Sequence, residues 1–336
     1  MLRHSRICAV LALAYLSIAA TGMSAGDISS EAQEYLDEAL NIMQEHSINR
    51  DVINWGRVRA QADARAADAQ TPSDTYDAIR SALYGLQDHH SMFIPPEDAQ
   101  ALTTASLDAS ASPGGCMTSE DIAHLRVPAF AGSAEAAVLY AEALHQTIRS
   151  LLEDGAVGWV VDLRGNVGGD MWAMLAGVGP VLGDGICGAF VDPMGITQTW
   201  SYRAGTASLE GTAQVTVSAE ALCSTIEPLA PVAVLTDRQT CSSGEAIAVA
   251  HIGRPNARSF GQATCGLSTA NGDFLLSDGA ILLLTVSTFA DRAGTAYGSV
   301  VAPDKHVSGY GRQTSGADSV LDVATEWLTA QEALQP

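Results

Sequence analysis

Lysine is almost missing from this sequence. Lys305 is the single example in 336 residues, and the 17 basic side chains face 38 acidic ones. A formal net charge of −21 argues against nucleic acid and anionic membrane surfaces as partners. A P-loop needs Gly-Lys-Ser/Thr, and none occurs; the glycine-rich turn over Val160–Asp170 is not the dinucleotide fingerprint G-x-G-x-x-G either. The cysteines lie far apart, with no C-x-x-C pair or companion histidine cluster, so no zinc site is expected. After the first twenty residues no apolar run is long enough to span a bilayer.

The apolar run that does exist lies at the start. Arg3 and Arg6 precede Ile7 to about Ala20, and small residues follow. This is the pattern of a secretory signal peptide over residues 1–25, cleaved near Ala25, with Ala19 and Ala20 as alternative sites. The protein is therefore expected to be exported, periplasmic or secreted, with an uncleaved N-terminal anchor as the alternative. Cys116, Cys187, Cys223, Cys241 and Cys265 then remain, an odd number in a compartment that permits disulfides. The pair offered as a disulfide is Cys187 with Cys223.

What is present reads as mixed α/β. In "SEAQEYLDEALNIMQE", Leu36, Leu40 and Met43 share one helical face, and Ser30 with Gln33 suggests a capping box. "RDVINWGRVRAQADARAADAQ" and "SDTYDAIRSALYGLQD" read as two more helices, giving a helical N-terminal subdomain over residues 26–102. Residues 103–115, "TTASLDASASPGG", read as a linker. An α/β core over 116–330 follows. It has strands at Ile122–Phe130, Val157–Leu163, "APVAVLTD" and Asp278–Asp291, helices at "SAEAAVLYAEALHQTIRSLLEDG" and "SGEAIAVAHIG", and a hairpin over Gly188–Gly205. "VGWVVDL" is apolar almost throughout, as a strand covered on both faces would be.

Three loops beside these elements carry chemistry. "GLQDHHSMF" (Gly85–Phe93) supplies a titratable base with nearby hydrogen-bond partners. "VVDLRGNVGGD" (Val160–Asp170) is a glycine turn after a buried strand, able to aim amides at an oxyanion. "RQTCSSGEAIAVA" (Arg238–Ala250) sets two serines between a strand and a helix. Serines there can be caps alone. Base, amide donors and serine together are the parts that acyl transfer needs.

These stretches resemble, in order, the tail-specific or C-terminal processing serine peptidases, a group that includes the tricorn core protease and the nisin resistance protein. "LQDHHSMF" is similar to L-x-D-x-H-[ST], "VVDLRGNVGG" to D-x-R-x-N-x-G-G, and "VAVLTDRQTCSSGEAIA" to V-L-[TD]-x3-T-x-S-x-x-E. "GQATCGLST" and "VVAPD" resemble two later motifs, so the likeness covers about Ala82 to Asp304. It implies a crotonase-like spiral of ββα units and a hydrolase acting on peptide or protein substrates.

Carried over residue by residue, it makes Ser242 the nucleophile and Glu245 the motif acid. Ser243 and either Gly168 or Gly169 become the oxyanion donors. Cys241 is then filler where the family has a small residue. One branch of the family places a lysine base after the G-x-x-T-x-G motif. Leu267 stands there, so the base is expected to be His90, with His89 its neighbour. Asp304, Asp291 and Ser91 are the candidates to orient it, the alternative being that no residue does. No metal or organic cofactor is called for. Fewer than thirty residues separate Phe93 from Ile122, too few for the PDZ domain that many tail-specific peptidases carry. The competing reading is an inactive peptidase-fold protein that binds a peptide or an apolar ligand.

Overall fold

The computed structural model describes residues 27–104, 112–118, 121–224, 226, 230–308 and 318–331. The expected signal peptide and most of the expected linker lie outside the described residues.

The chain opens with helices α1 (Ser30–His46), α2 (Trp55–Arg65) and α3 (Tyr76–Tyr84). Leu36, Leu40 and Met43 are fully buried, as their spacing required. The cap of α1 is Ser29 rather than Ser30, its Oγ accepting from Ala32 N–H at 3.1 Å. Strand β1 (Met92–Ile94) and helix α4 (Pro96–Thr104) follow. Then come β2 (Gly114–Met117), β3 (Ile122–Arg126), α5 (Ala134–Glu153), β4 (Gly158–Asp162) and α6 (Met171–Leu182). Four strands run in succession: β5 (Gly185–Val191), β6 (Thr197–Arg203), β7 (Thr206–Leu209) and β8 (Thr212–Thr216). The remainder is β9 (Val232–Thr236), α7 (Ser243–His251), β10 (Ala257–Gly261), β11 (Thr269–Leu275), β12 (Ile281–Ala290), β13 (Lys305–His306) and α8 (Ser319–Thr329).

Two sheets organise these elements. The first has the order β13-β10-β9-β4-β3-β2 and is parallel except for β2 at one edge. Every residue of β4 and β9 is buried. Successive side chains leave a strand on opposite faces. Trp159, Val161, Val232 and Val234 accordingly join the cluster with α5, α6 and α7, while Val160, Ala233 and Leu235 meet Val320, Ala324 and Leu328 of α8. Each aliphatic side chain so covered contributes about 1.5–3 kcal/mol.

The second sheet is antiparallel, in the order β1-β12-β5-β6-β7-β8, with β11 also paired to β12. The N-terminal helices bury their apolar faces on Leu276, Ala280, Leu282 and Leu284 of the β11–β12 hairpin. That packing brings the loop between α3 and β1 to the body of the protein.

Two readings need correction. Gly114 and Gly115, expected in the linker, begin β2; a Cβ on Gly115 would stand 2.8 Å from the His124 carbonyl oxygen, so close approach is what the glycine permits. Helix α6 was not foreseen, because "MWAMLAGVGPVL" carries Pro180 and two glycines. Those glycines sit where neighbours press closest. A Cβ would meet Leu144 at 2.4 Å from Gly177 and the Tyr202 ring at 2.0 Å from Gly179. Among the described residues no helix is long and apolar enough to cross a membrane.

Candidate active site

The carboxyl ends of the adjacent parallel strands β4 and β9 carry the two loops singled out in the sequence. Such ends are where open α/β sheets present functional groups. The turn after β9 is stitched to the turn after β4. Thr240 Oγ1 donates to Leu163 O at 2.9 Å, Cys241 N–H to Asn166 O at 2.9 Å, and Gly165 N–H to Asp237 Oδ1 at 3.1 Å.

Ser242 occupies the position before α7 with φ +51° and ψ −119°. A serine keeps that backbone only where its surroundings impose it. Here its N–H donates to Glu245 Oε2 at 2.8 Å. Glu245 is fully buried. It also accepts from Thr264 Oγ1 (2.5 Å), Gly266 N–H (3.2 Å) and Leu267 N–H (2.8 Å). Burial pushes its carboxyl above the usual range, against the pull of these donors.

The adjacent serines face different partners. Ser243 Oγ donates to Gly169 O at 2.5 Å and so fastens the two turns together. Ser242 Oγ lies 3.0 Å from His90 Nε2.

His90 arrives on the loop between α3 and β1. Asp88 Oδ1 accepts the N–H groups of His90 (2.9 Å) and Ser91 (2.7 Å), and Asn271 Nδ2 donates to His90 O at 3.1 Å. Gln87 and His89 take φ +60° to make the bend, and His89 is exposed while His90 is buried. The His90 ring reaches Ser242 through Nε2 and Thr269 Oγ1 through Nδ1, the latter at 2.7 Å. Burial lowers its pKa below the ordinary imidazole value, and the charge of Asp88 opposes part of that shift. When Nε2 accepts from Ser242, the proton rests on Nδ1 and is donated to Thr269.

None of the expected orienting residues touches the ring. Asp304 accepts from Ser259 N–H and Oγ at the β10 edge. Asp291 closes a turn with Ala293, Thr295 and Tyr297. Ser91 donates to Asp88 Oδ2. Thr269 was not among the residues expected there, and its only signal in the sequence was its place in "GQATCGLST".

The glycine turn packs directly beneath the Ser242 loop. A Cβ on Gly168 would stand 2.8 Å from Ser242 Cβ, and one on Gly169 1.9 Å from Phe130 O; both residues also have positive φ. Gly168 N–H is already held by Asn166 Oδ1 at 2.9 Å. Gly169 N–H and Ser243 N–H have no hydrogen-bond partner among the described residues, and the latter is one of the open amides of a helix start. Asn166 is fully buried and spends its amide on Val127 O, so it shapes the turn.

Two cysteine readings are overturned. Cys187 and Cys223 are unpaired and buried, and burial pushes the Cys187 thiol up to about 11. Cys241 is no filler. It forms a disulfide with Cys265, the Cα atoms 5.3 Å apart. Cys265 N–H donates to Thr240 O at 3.0 Å, and this bond lays the two segments side by side. Among the described residues no three His, Cys, Asp or Glu side chains gather as a metal site would need.

A serine with a histidine at hydrogen-bond distance, on a strand-to-helix turn beside open amides, is the equipment of a serine-type peptidase. The model of peptidase family S41 matches residues 121–307, and the chain belongs to that family. It is 28% identical over 300 residues to the nisin-resistance protein of Lactococcus lactis subsp. lactis, covering 89% of this chain and 87% of that protein. A lipoprotein structure from Streptococcus agalactiae superposes with a TM-score of 0.72 at 24% identity, over 90% of this chain and 97% of the other. The photosystem II D1 C-terminal processing protease gives 0.58 at 16% identity, over 91% and 99%. At those identities the two structures speak for the fold alone.

Proposed function

We propose that the protein is an exported serine endopeptidase in which Ser242 is the nucleophile and His90 the general base. The observation that carries this reading is the 3.0 Å separation of His90 Nε2 from Ser242 Oγ. Nucleophile and base must be within hydrogen-bond reach before any pKa argument applies.

In this mechanism neutral His90 takes the Ser242 proton through Nε2 as Oγ attacks the scissile carbonyl. The N–H groups of Ser243 and Gly169 hold the oxyanion that forms. Protonated His90 then gives its proton to the leaving amine, and water resolves the acyl-enzyme by the same route in reverse. The depressed pKa of His90 keeps it a base at neutral pH. Thr269 fixes the tautomer that leaves Nε2 free to accept.

Export is supported by Arg3, Arg6 and the apolar run after them. The substrate class is a peptide or the tail of a protein, in keeping with membership of peptidase family S41 and a relative named for nisin resistance. The strand–helix–strand returns of β3-α5-β4 and β9-α7-β10 suit a crotonase-like spiral.

The reading is tested by fluorophosphonate labelling of the wild type beside Ser242→Ala and His90→Ala, the modified peptide being located by mass spectrometry. Label on Ser242 in the wild type, absent from both variants, is the expected result. A folded wild type that takes no label would shift the assignment to a binding protein on a peptidase scaffold.

A further inference from the structure

We propose that the Cys241–Cys265 disulfide is a redox-responsive positioning bond of the active site, holding the Ser242 turn against the segment that orients His90. The proposal rests on the Ser-His reading above.

Two segments meet here. The turn over 240–245 carries Ser242, and the loop over 264–269 leads into β11 and carries Thr269. They are joined by the Cys265 N–H bond to Thr240 O, by the Glu245 carboxylate and by the disulfide. Only the disulfide can be opened and closed without changing a residue. Cys241 directly precedes Ser242, whose φ of +51° depends on restraint from its neighbours. Both backbone groups of Cys241 are already engaged, its N–H with Asn166 O and its C=O with Gly244 N–H at 2.8 Å. Its side-chain bond is therefore what ties this residue to the loop that ends on the His90 partner.

Both cysteines are partly exposed, within reach of a small dithiol. In the exchange, one thiolate of the reductant attacks either sulfur, forms a mixed disulfide and releases the other cysteine as thiolate. The second thiol of the reductant then displaces the remaining cysteine and leaves as a cyclic disulfide. Two electrons pass to the protein, and two protons complete the Cys241 and Cys265 thiols. The opened site lets Ser242 relax and Thr269 move away from His90. Reduction therefore lowers kcat more than it raises KM.

The test uses the full chain, oxidised or treated with dithiothreitol, and the double variant Cys241→Ser/Cys265→Ser. Alkylation and peptide mass report the state of each cysteine. Fluorophosphonate labelling of Ser242 reports the site, with circular dichroism confirming the fold. The expected result is a labelling rate lower by about 10- to 100-fold on reduction, the effect of a small misplacement of reacting groups. Re-oxidation restores the rate, the double variant behaves as the reduced protein, and Cys116→Ser, which removes the exposed thiol on β2, changes nothing.

The proposal is overturned if the reduced, folded wild type labels as fast as the oxidised protein while only its thermal midpoint falls. Free thiols at both positions after preparation under oxidising conditions overturn it as well. Should the double variant fail to fold, the reduced wild type still decides. An oxidised protein with the bond intact that takes no label sinks the Ser-His reading instead, and the alkylation result tells the two failures apart.

Discussion

Thr269 Oγ1 lies 2.7 Å from His90 Nδ1, on the opposite side of the ring from Ser242 Oγ. A hydroxyl thus stands where Ser-His-Asp triads place a carboxylate. It can fix the ring and its tautomer, but it brings no charge to stabilise the imidazolium. Thr269→Val leaves a buried N–H without a partner, at a cost of about 1–3 kcal/mol, so kcat/KM is expected to fall roughly 10- to 100-fold. Thr269→Ser keeps the hydroxyl and should stay within a few-fold of wild type. Equal rates for the valine and serine variants would show that the bond does not orient the base.

The pH dependence follows from the same ring. Burial holds the His90 pKa below 6.5, so the labelling rate should rise with pH along an acid limb centred below that value. Asp88 opposes the shift by its charge, and its Oδ1 also accepts two backbone amides. Asp88→Asn keeps an acceptor for those amides and removes the charge. Its acid limb should therefore move to still lower pH, which a pH-rate profile of the variant against wild type would show. The linked stability term has the matching sign. As pH falls below 6.5 the unfolded chain takes the proton first, so His90 contributes stability above that value and loses it on acidification.

The residues of the candidate site were more legible in the sequence than the architecture. Ser242, His90 and the glycine turn lie in short contiguous motifs; the neighbouring parallel strands β4 and β9 set the glycine turn beside Ser242, and the packing of the N-terminal helices on the β11–β12 hairpin delivers His90. Buried strands announced themselves by unbroken apolar runs. Helix α6 did not, because its packing against Leu144 and Tyr202 selects glycines that no helix propensity would choose. Strands β7, β8 and β11 are short or half exposed and carry a weak period-two signal. The Cys241–Cys265 pairing could not be read from spacing, since five cysteines admit many pairings and only the fold sets two of them 5.3 Å apart. Thr269 was hidden for another reason. A threonine at the start of a strand is ordinary, and only the position of the His90 ring gives its hydroxyl a role.

The second residue pair of the glycine-turn motif predicts acid sensitivity. Arg164 grips Asp162 with two bonds, Nε to Oδ1 at 2.9 Å and Nη2 to Oδ2 at 2.6 Å, and reaches Asp318 at the start of α8 at 2.8 Å. Burial alone would raise the Asp162 carboxyl, but the bonds from Arg164 and His124 outweigh it and hold it at about 2. Its contribution is therefore complete above the unfolded carboxylate value and lost as pH falls towards 2. Arg164→Ala strands a buried carboxylate and releases α8 from the sheet. A loss of about 3–5 kcal/mol in urea unfolding is expected, shrinking as Asp162 becomes protonated. A variant as stable as wild type at neutral pH would mean the cluster is neutral in sum.

Glu245 gives the most severe of these tests, because one side chain serves both halves of the site. Oε2 accepts from the N–H groups of Ser242 and Leu267, Oε1 from Gly266 N–H and Thr264 Oγ1. Every partner is a donor, so the arrangement suits two accepting oxygens and nothing else. Glu245→Gln must turn an NH2 towards one pair of these donors, leaving buried N–H groups opposed, at about 1–3 kcal/mol for each lost acceptor. Glu245→Asp keeps both oxygens but is one methylene short of the far segment. Both variants should be destabilised, yet they should differ in the site. Aspartate can still hold Ser242 N–H, three residues away on the same turn, and so should label faster than glutamine at a temperature where both are folded. If instead both label at the wild-type rate, the carboxylate is a stabilising staple with no part in setting the Ser242 turn. The strained backbone there would then be held by the Asn166 and Cys265 bonds alone.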